Sequence, residues 1–155
     1  MATEIERKFL VHNDHWRPLV ERSMALRQGY LISDEHSSVR VRISDEEAFL
    51  NIKSATVGVS RLEFEYPIPV ADAEEMLDKL CHHRLEKTRH LVQHEGHLWE
   101  IDEFHGANAG LIVAEVELQD AEEAYQLPGW AGEEVSEDIR YYNSRLAEQP
   151  YSTWS

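Results

Sequence analysis

Alternating polar and apolar positions run through most of the 155-residue chain. Near the amino terminus, Glu4, Glu6 and Lys8 occupy one side of the pattern. Ile5 and Phe9 occupy the other side. This period of two is typical of a β-strand with one buried face, and turn-forming residues separate further segments of the same kind. The pattern predicts eight strands, over residues 3–11, 26–32, 39–43, 48–54, 61–67, 86–92, 97–104 and 111–118.

Helical patterns are fewer and lie between or after the strands. Apolar residues recur there every three or four positions, and Asp or Ser stands where a helix cap is expected. No internal repeat or long linker divides the chain, so we predict a single domain over residues 1–155, mainly β and of the α+β class. The predicted helices cover residues 14–23, 72–81 and 121–126 and a last segment that begins at Ser136.

The polar faces of the predicted strands carry ionised side chains, whereas solvated strand faces usually include Thr, Ser and Gln. Three of the four lysines, Lys8, Lys53 and Lys87, lie on these faces. The ordinary interpretation is a half-buried sheet with its charges in water. The alternative is an inverted barrel with charged side chains inside, because eight strands can close around room for one small ligand. The pattern alone leaves both barrels open.

An enclosed set of these charges would need ligands to organise it, because buried ion networks are costly. Carboxylates favour hard divalent cations, and the basic groups favour an anion with many oxygens. A polyphosphate that carries Mg²⁺ satisfies both kinds of group. The basic positions are Lys8, Arg40, Arg42, Lys53, Arg61, Lys87 and Arg89, and the acidic positions are Glu4, Glu6, Glu63, Glu65, Glu100, Asp102, Glu115 and Glu117.

The overall charge limits the partners of the protein. A net charge of −15 opposes binding to nucleic acid or to anionic membranes. Cys81 has no partner for an internal disulfide, and the amino terminus lacks the apolar core of a signal peptide. We therefore expect a cytoplasmic protein with no nucleic-acid or membrane partner, either a monomer or a homodimer.

The charged motifs follow one another in a recognisable order. Residues 4–8 read EIERK, which matches an ExExK signature. Further motifs are RQGY at 27–30, RVR at 40–42, IK at 52–53, EFE at 63–65, EKTR at 86–89, EID at 100–102, EVE at 115–117 and DIRYYN at 138–143. Together they resemble the CYTH superfamily, the triphosphate tunnel metalloenzymes, and the resemblance covers essentially the whole chain.

The resemblance implies a closed, eight-stranded antiparallel tunnel that binds a triphosphate and a divalent metal, Mg²⁺ or alternatively Mn²⁺. Compact bacterial members are similar to inorganic triphosphatases, which cleave tripolyphosphate to pyrophosphate and phosphate. It implies metal ligands at Glu4, Glu6, Glu115 and Glu117, and acidic positions for a second metal or a water at Glu63, Glu65 and Asp102. It also implies phosphate-binding residues at Lys8, Arg40, Arg42, Lys53, Lys87 and Arg89, to which we add Arg61 from the same charged face.

Lys87 is the candidate for activating the attacking water. Crowding by cations such as Lys8, Arg42 and Arg89 lowers the pKa of an amine. We expect Lys87 to deprotonate or orient the water while Mg²⁺ polarises the phosphoryl oxygen. Tyr30 is the second catalytic candidate, either facing the tunnel and hydrogen-bonding a metal ligand or packing at the rim.

Other functions stay open at this point. The same tunnel could serve an adenylate cyclase or hydrolyse thiamine or nucleoside triphosphates, although the His-Phe element of cyclase relatives is reversed here as Phe104-His105. A non-catalytic polyphosphate-binding module or a conventional carrier barrel is the third possibility. We also expect the last helical segment to plug one tunnel mouth, where Arg140 or Arg145 would supply a further cation.

Overall fold

Nine strands and two α-helices form the regular structure of residues 3–154, the part of the chain that the computed structural model describes. The strands are β1 (Thr3–Val11), β2 (Arg22–Ser33), β3 (Ser37–Ser44), β4 (Glu47–Ser54), β5 (Ser60–Ile68), β6 (His83–His94), β7 (His97–Phe104), β8 (Ile112–Glu117) and β9 (Ala131–Glu134), and the helices are α1 (Val70–Lys79) and α2 (Asn143–Glu148). No helix in this range has the length and apolar character needed to cross a membrane.

The first eight strands close into an antiparallel barrel. Their hydrogen-bonded order is β5, β4, β3, β2, β6, β7, β8, β1, and β1 also pairs with β5, which joins the two ends. In the closing pair Glu4 lies opposite Arg61, and on the other edge of β1 Glu6 lies opposite Glu117. The predicted closed barrel is therefore confirmed, and β9 is an additional strand that pairs with β1.

The helix predicted over residues 14–23 is wrong. The segment contains one 3-10 turn at Arg17–Leu19, and β2 begins already at Arg22. The backbone joins the sheet early, since Glu21 N donates to the carbonyl oxygen of Leu91 on β6 at 2.9 Å. Pairing with β6 thus satisfies backbone groups that a helix would have used, and tertiary pairing overrides the local helical pattern.

The helix predicted over residues 121–126 is also wrong, because the segment forms turns without regular structure. Glu123 accepts a hydrogen bond from Gln119 N at 2.6 Å, and Asp120 accepts one from Glu122 N at 2.7 Å. These local side-chain contacts favour a turn and compete with a helix. Pro128 follows, and the residue before a proline disfavours helical backbone angles. The chain then enters β9, whose sequence AGEE carries no polar and apolar alternation and was therefore not predicted.

The other two helices exist with shifted bounds. Helix α1 lies two residues before its predicted position and buries Ala73 and Leu77 against the outer face of β3 and β4. The last helix begins at Asn143 and not near Ser136. Ser136 Oγ instead accepts a hydrogen bond from Lys8 N on β1 at 3.0 Å, which fastens this segment to the barrel.

Apolar side chains pack mainly on the outside of the barrel. Phe9, Trp99 and Val116 extend from β1, β7 and β8 and pack with Trp16 and Trp130 in one buried cluster. Helix α1 covers a second cluster on β3 and β4. The charged side chains of the same strands consequently face the interior. The pattern left two alternatives open, and the structure is the inverted barrel.

Helix α2 closes one end of this barrel. Its residues Leu146 and Ala147 pack against Leu85, Phe104 and Val113 in a third buried cluster. These three partners lie on β6, β7 and β8. One end of the interior is thus filled by apolar side chains, and the space beside it is left to the charged ones.

Candidate active site in the barrel interior

A cavity of about 320 Å³ lies inside the barrel and is lined almost entirely by polar side chains. All of the predicted charged positions line it except Asp102. The lining residues are Glu4, Glu6, Lys8, Tyr30, Ser38, Arg40, Arg42, Lys53, Arg61, Glu63, Glu65, Lys87, Arg89, Glu100, Glu115, Glu117, Tyr142, Asn143 and Ser144. The strand alternation therefore brings side chains from all eight strands of the barrel to one enclosed space.

A larger groove of about 820 Å³ lies outside the barrel, between α1 and the 3-10 turn at Gly106–Asn108. Two of its basic residues are already paired, because Arg27 forms an ion pair with Glu74 and Lys79 forms one with Glu75. A third, Arg84, donates to the carbonyl oxygen of Leu77. The interior cavity is the stronger candidate site, since it concentrates charge in a desolvated space.

One wall of the cavity is acidic and is built by β1 and β8. Burial, together with the neighbouring carboxylates of Glu115 and Glu4, raises the pKa of Glu6 well above its usual range. The Glu6 and Glu115 carboxyl groups lie within hydrogen-bonding reach of each other. Burial and the nearby Glu4 also raise the pKa of Glu117. Repulsion of this kind among crowded carboxylates is relieved by a bound cation.

The donor chemistry of this acidic wall fits a hard divalent cation. Within residues 3–154 no three His, Cys, Asp or Glu side chains already surround a common point with metal-binding geometry. Mg²⁺ does not require such a cage, because it commonly takes one or two carboxylates and completes its shell with water and substrate phosphates. The residues that could hold it are Glu4, Glu6, Glu115 and Glu117.

Lysine and arginine side chains bridge to these carboxylates. Lys53 Nζ lies 3.3 Å from Glu4 Oε1 and 3.0 Å from Glu63 Oε2. Arg61 contacts both Glu4 and Glu6 at 3.6 Å. On the opposite edge of β1, Lys8 Nζ lies 3.7 Å from Glu115 Oε1. These ion pairs keep the cavity close to neutral, and its cations are placed beside the candidate metal ligands.

A second wall is basic, because β3 contributes Arg40 and Arg42 to it. Burial lowers the pKa of Arg42 to about 9, and the neighbouring Arg40 and Arg89 add to this effect. Arg42 Nε donates to Gln28 Oε1 at 3.1 Å, so it contacts a neutral group. Arg40 Nε is buried with no hydrogen-bond partner within residues 3–154. These guanidinium groups are poised to bind an anion with several oxygens.

Asp102 lies behind the cavity wall. Both of its carboxylate oxygens are used, because Arg89 Nε donates to Oδ1 at 2.8 Å and Lys87 Nζ donates to Oδ2 at 2.7 Å. Burial opposes its charge, but Arg89 and Lys87 outweigh that effect and lower the pKa of Asp102 to about 2. The structure therefore does not bring Asp102 together with the candidate metal ligands, contrary to the expectation from the sequence.

Lys87 lies at the junction of this buried ion pair and the cavity. Burial lowers the pKa of Lys87 to about 7, and Arg89 and Arg42 contribute in the same direction against the opposing effect of Asp102. Arg42 and Arg89 were among the cations expected from the sequence to crowd Lys87. Burial is nevertheless the larger cause of its lowered pKa. An amine with this pKa exchanges protons readily near neutral pH.

Glu63, Glu65 and Tyr30 line the cavity, but each already has contacts within the protein. Glu63 is paired with Lys53, and Glu65 accepts a hydrogen bond from Asn51 at 2.7 Å. Tyr30 lines the cavity, but its ring packs in the apolar cluster beneath α2. In the described part of the chain its hydroxyl forms no hydrogen bond with a candidate metal ligand, so the packing alternative describes it better.

Several neutral residues of the site were not predicted. Asn143 Oδ1 accepts hydrogen bonds from Lys87 Nζ at 2.7 Å and from Gln28 Nε2 at 3.2 Å. Tyr142 places its ring 5.3 Å from Lys8 Nζ. Only the inward position of Gln28 on β2 could have been read from strand alternation. Arg140 does not line the cavity, because it is exposed and paired with Asp138, and Arg145 is exposed as well.

A known family and curated relatives match this chain over nearly its whole length. The CYTH domain model matches residues 2–151, so the chain belongs to the CYTH family. It is 44% identical over 155 residues to an inorganic triphosphatase of Acetivibrio thermocellus, with 99% of each chain covered. It is 42% identical over 149 residues to an inorganic triphosphatase of Nitrosomonas europaea, covering 94% of this chain and 97% of that one.

Solved structures show the same fold. A crystal structure of an inorganic triphosphatase superimposes with a TM-score of 0.68 at 40% identity and covers 95% of both chains. A protein from Pyrococcus furiosus has a TM-score of 0.61 at 16% identity, covers 77% of this chain and 80% of that one, and bears on the fold alone.

Proposed function

We propose that this protein is a Mg²⁺-dependent inorganic triphosphatase that cleaves tripolyphosphate to pyrophosphate and phosphate inside the barrel. The observation that carries the proposal is the 320 Å³ interior cavity, with crowded carboxylates on one wall. On the other wall Arg40 Nε has no hydrogen-bond partner among residues 3–154. Two relatives at 44% and 42% identity bear the name inorganic triphosphatase, which supports the same substrate class.

The basic residues bind the polyphosphate oxygens. Arg40 and Arg42 present planar donor groups that suit two oxygens at once. Arg40 is buried and Arg42 is half-buried, so their charge interactions are stronger than in bulk water. Without substrate, carboxylates of the protein contact Lys8, Lys53 and Arg61. When substrate binds, these three side chains would also contact phosphate oxygens. Their flexible side chains allow this exchange, so binding replaces some internal ion pairs with protein–phosphate contacts.

The acidic wall holds the divalent cation through Glu4, Glu6, Glu115 and Glu117, with Glu63 and Glu65 as further acidic positions on β5, the strand that pairs with β1. A bound Mg²⁺ supplies neutralisation of phosphoryl charge and relieves the repulsion that raises the pKa of Glu6. Mn²⁺ has similar ligand preferences and is the alternative metal.

Lys87 acts as the general base. Its amine accepts a proton from the attacking water as the water oxygen bonds to a terminal phosphorus. The bridging P–O bond breaks, and pyrophosphate leaves with the bonding electron pair. Asp102 acts through Lys87 and Arg89, because it anchors both side chains and does not reach the cavity itself.

The geometry does not favour the other functions. Adenine or thiamine would require apolar surface beside the phosphates, whereas the interior is lined by charged and polar groups and α2 closes one end. A cyclase or a nucleoside triphosphatase therefore remains an outcome to be tested and not a second proposal.

A substrate comparison tests the proposal. Purified protein would receive tripolyphosphate, ATP and thiamine triphosphate in parallel with Mg²⁺, Mn²⁺ or a chelator, and phosphate release would be measured. We expect tripolyphosphate to react fastest and the chelator to stop the reaction. Faster turnover of ATP, or formation of cyclic AMP, would refute the proposal. Tight binding of tripolyphosphate without phosphate release would identify a non-catalytic binding module.

A further inference from the structure

We propose that Asn143 is a positioning residue that fixes the direction of the Lys87 amine, and this inference rests on the proposed function. Lys87 Nζ donates to Asn143 Oδ1 and to Asp102 Oδ2, both at 2.7 Å. These two acceptors come from different parts of the fold, α2 and β7. They hold the amine at the edge of the cavity that Lys87 lines.

The number of hydrogen bonds matters for the chemistry of the amine. A charged lysine has three N–H donors, and a neutral lysine has two donors and one lone pair. With two acceptors fixed by the protein, the two N–H groups of the neutral amine are both used. The lone pair then takes the remaining tetrahedral direction, and the inference is that this direction faces the cavity that Lys87 lines. Asn143 and Asp102 together thus orient the lone pair that removes a proton from water.

The orientation of the Asn143 amide is set by a chain of hydrogen bonds. Arg42 can only donate, and its Nε donates to Gln28 Oε1 at 3.1 Å. Gln28 must therefore turn its nitrogen the other way, where Nε2 donates to Asn143 Oδ1 at 3.2 Å. Asn143 in turn presents its oxygen to Lys87. The fixed polarity of an arginine thus decides which amide atom meets the catalytic amine.

A neutral amide suits this position better than a second carboxylate. Asn143 accepts a hydrogen bond without adding negative charge, so it does not raise the pKa of Lys87 as a carboxylate would. The amide is also held firmly, since Gln28 is fully buried and α2 is packed through Leu146. The helix that closes the barrel therefore also carries an atom that orients the general base.

Kinetics of four variants test the inference: Asn143→Ala, Asn143→Asp, Lys87→Ala and the double variant Asn143→Ala/Lys87→Ala. We expect Asn143→Ala to lower kcat about 10- to 100-fold while KM for tripolyphosphate stays within about twofold, because positioning is lost and phosphate contacts are kept. Asn143→Asp keeps an acceptor oxygen and should retain more activity than Asn143→Ala. Glu148→Gln, at an exposed position of α2, is the control.

The double variant distinguishes positioning from a merely structural role. When the amine is absent, removal of Asn143 should slow the reaction by less than about twofold further. Equal losses in both backgrounds, or a raised KM at unchanged kcat, would overturn the inference. Failure of the parent protein to hydrolyse tripolyphosphate would instead refute the proposed function.

A spectroscopic measurement on the metal-free protein provides a readout independent of turnover. The Lys87 side-chain amine, observed by ¹⁵N NMR and assigned through its loss in Lys87→Ala, should exchange its protons with water faster in Asn143→Ala than in the parent protein. Unchanged exchange would contradict the proposed hydrogen bond. Thermal unfolding of each variant identifies any that have lost the fold.

Discussion

Replacing Asp102 by asparagine removes the one negative charge that two buried cations share. Asp102 is 0% exposed and accepts three hydrogen bonds, at 2.8 and 3.0 Å from Arg89 and at 2.7 Å from Lys87. Removal of one partner from a buried ion pair typically costs about 3–5 kcal/mol, because the remaining charge stays desolvated. For a domain of this size, that loss corresponds to a fall in Tm of roughly 6–20 °C.

The same substitution should move the pH dependence of activity. Asp102 stabilises the charged form of Lys87 and thereby holds the pKa of Lys87 up against the effect of burial. Without that carboxylate the pKa of Lys87 falls further below about 7. A general base must be deprotonated, so the acidic limb of the kcat profile should shift to lower pH.

The assay combines thermal unfolding with tripolyphosphate hydrolysis between about pH 5 and 9, a range that brackets the expected transition. Asp78→Asn, at an exposed position on α1, is the matched control and should change neither Tm nor the pH profile. An unchanged Tm in Asp102→Asn would show that the buried ion pair does not carry the stability assigned to it. A shift of the acidic limb to higher pH would refute the electrostatic reasoning about Lys87.

Three further predictions concern Lys87, the acidic wall and helix α2. Lys87→Ala should lower kcat about 10²- to 10⁴-fold and abolish the acidic limb near pH 7 in a pH–rate profile. Glu6→Gln should raise the Mg²⁺ concentration for half-maximal activity at least about tenfold in a metal titration, because a ligand charge is lost. Leu146→Ala should destabilise the protein by about 2–5 kcal/mol in denaturant unfolding, since Leu146 is fully buried in the apolar cluster between α2 and the barrel.

The barrel could be predicted because the alternation of polar and apolar residues is the same whether the charged face lies inside or outside. Glu4, Glu6 and Lys8 share a face whether that face is exposed to water or enclosed. The period of two therefore identifies the strand but does not show which of its faces points into the barrel. The resemblance to a known family indicated that the charged face points inward. Strand β9 escaped prediction because it is short and lacks alternation, and its position depends on pairing with β1.

Individual roles within the site were harder to predict than the set of charged positions. Alternation places Asp102 on the same side of β7 as Glu100, but it cannot show that Arg89 and Lys87 occupy both oxygens of Asp102. Asn143 contacts Lys87 across 56 positions of sequence, and nothing in its local context distinguishes it from a surface amide. Such contacts depend on how the last segment packs into the barrel.

The central claim is that the barrel interior hydrolyses tripolyphosphate with Lys87 as the base, and ³¹P NMR tests it most directly. Tripolyphosphate incubated with the protein and Mg²⁺ should give pyrophosphate and phosphate in equal amounts, with no signal change in chelator and far slower conversion by Lys87→Ala. Stable tripolyphosphate signals in the presence of the parent protein and Mg²⁺, or equal conversion rates for the parent protein and Lys87→Ala, would contradict the account.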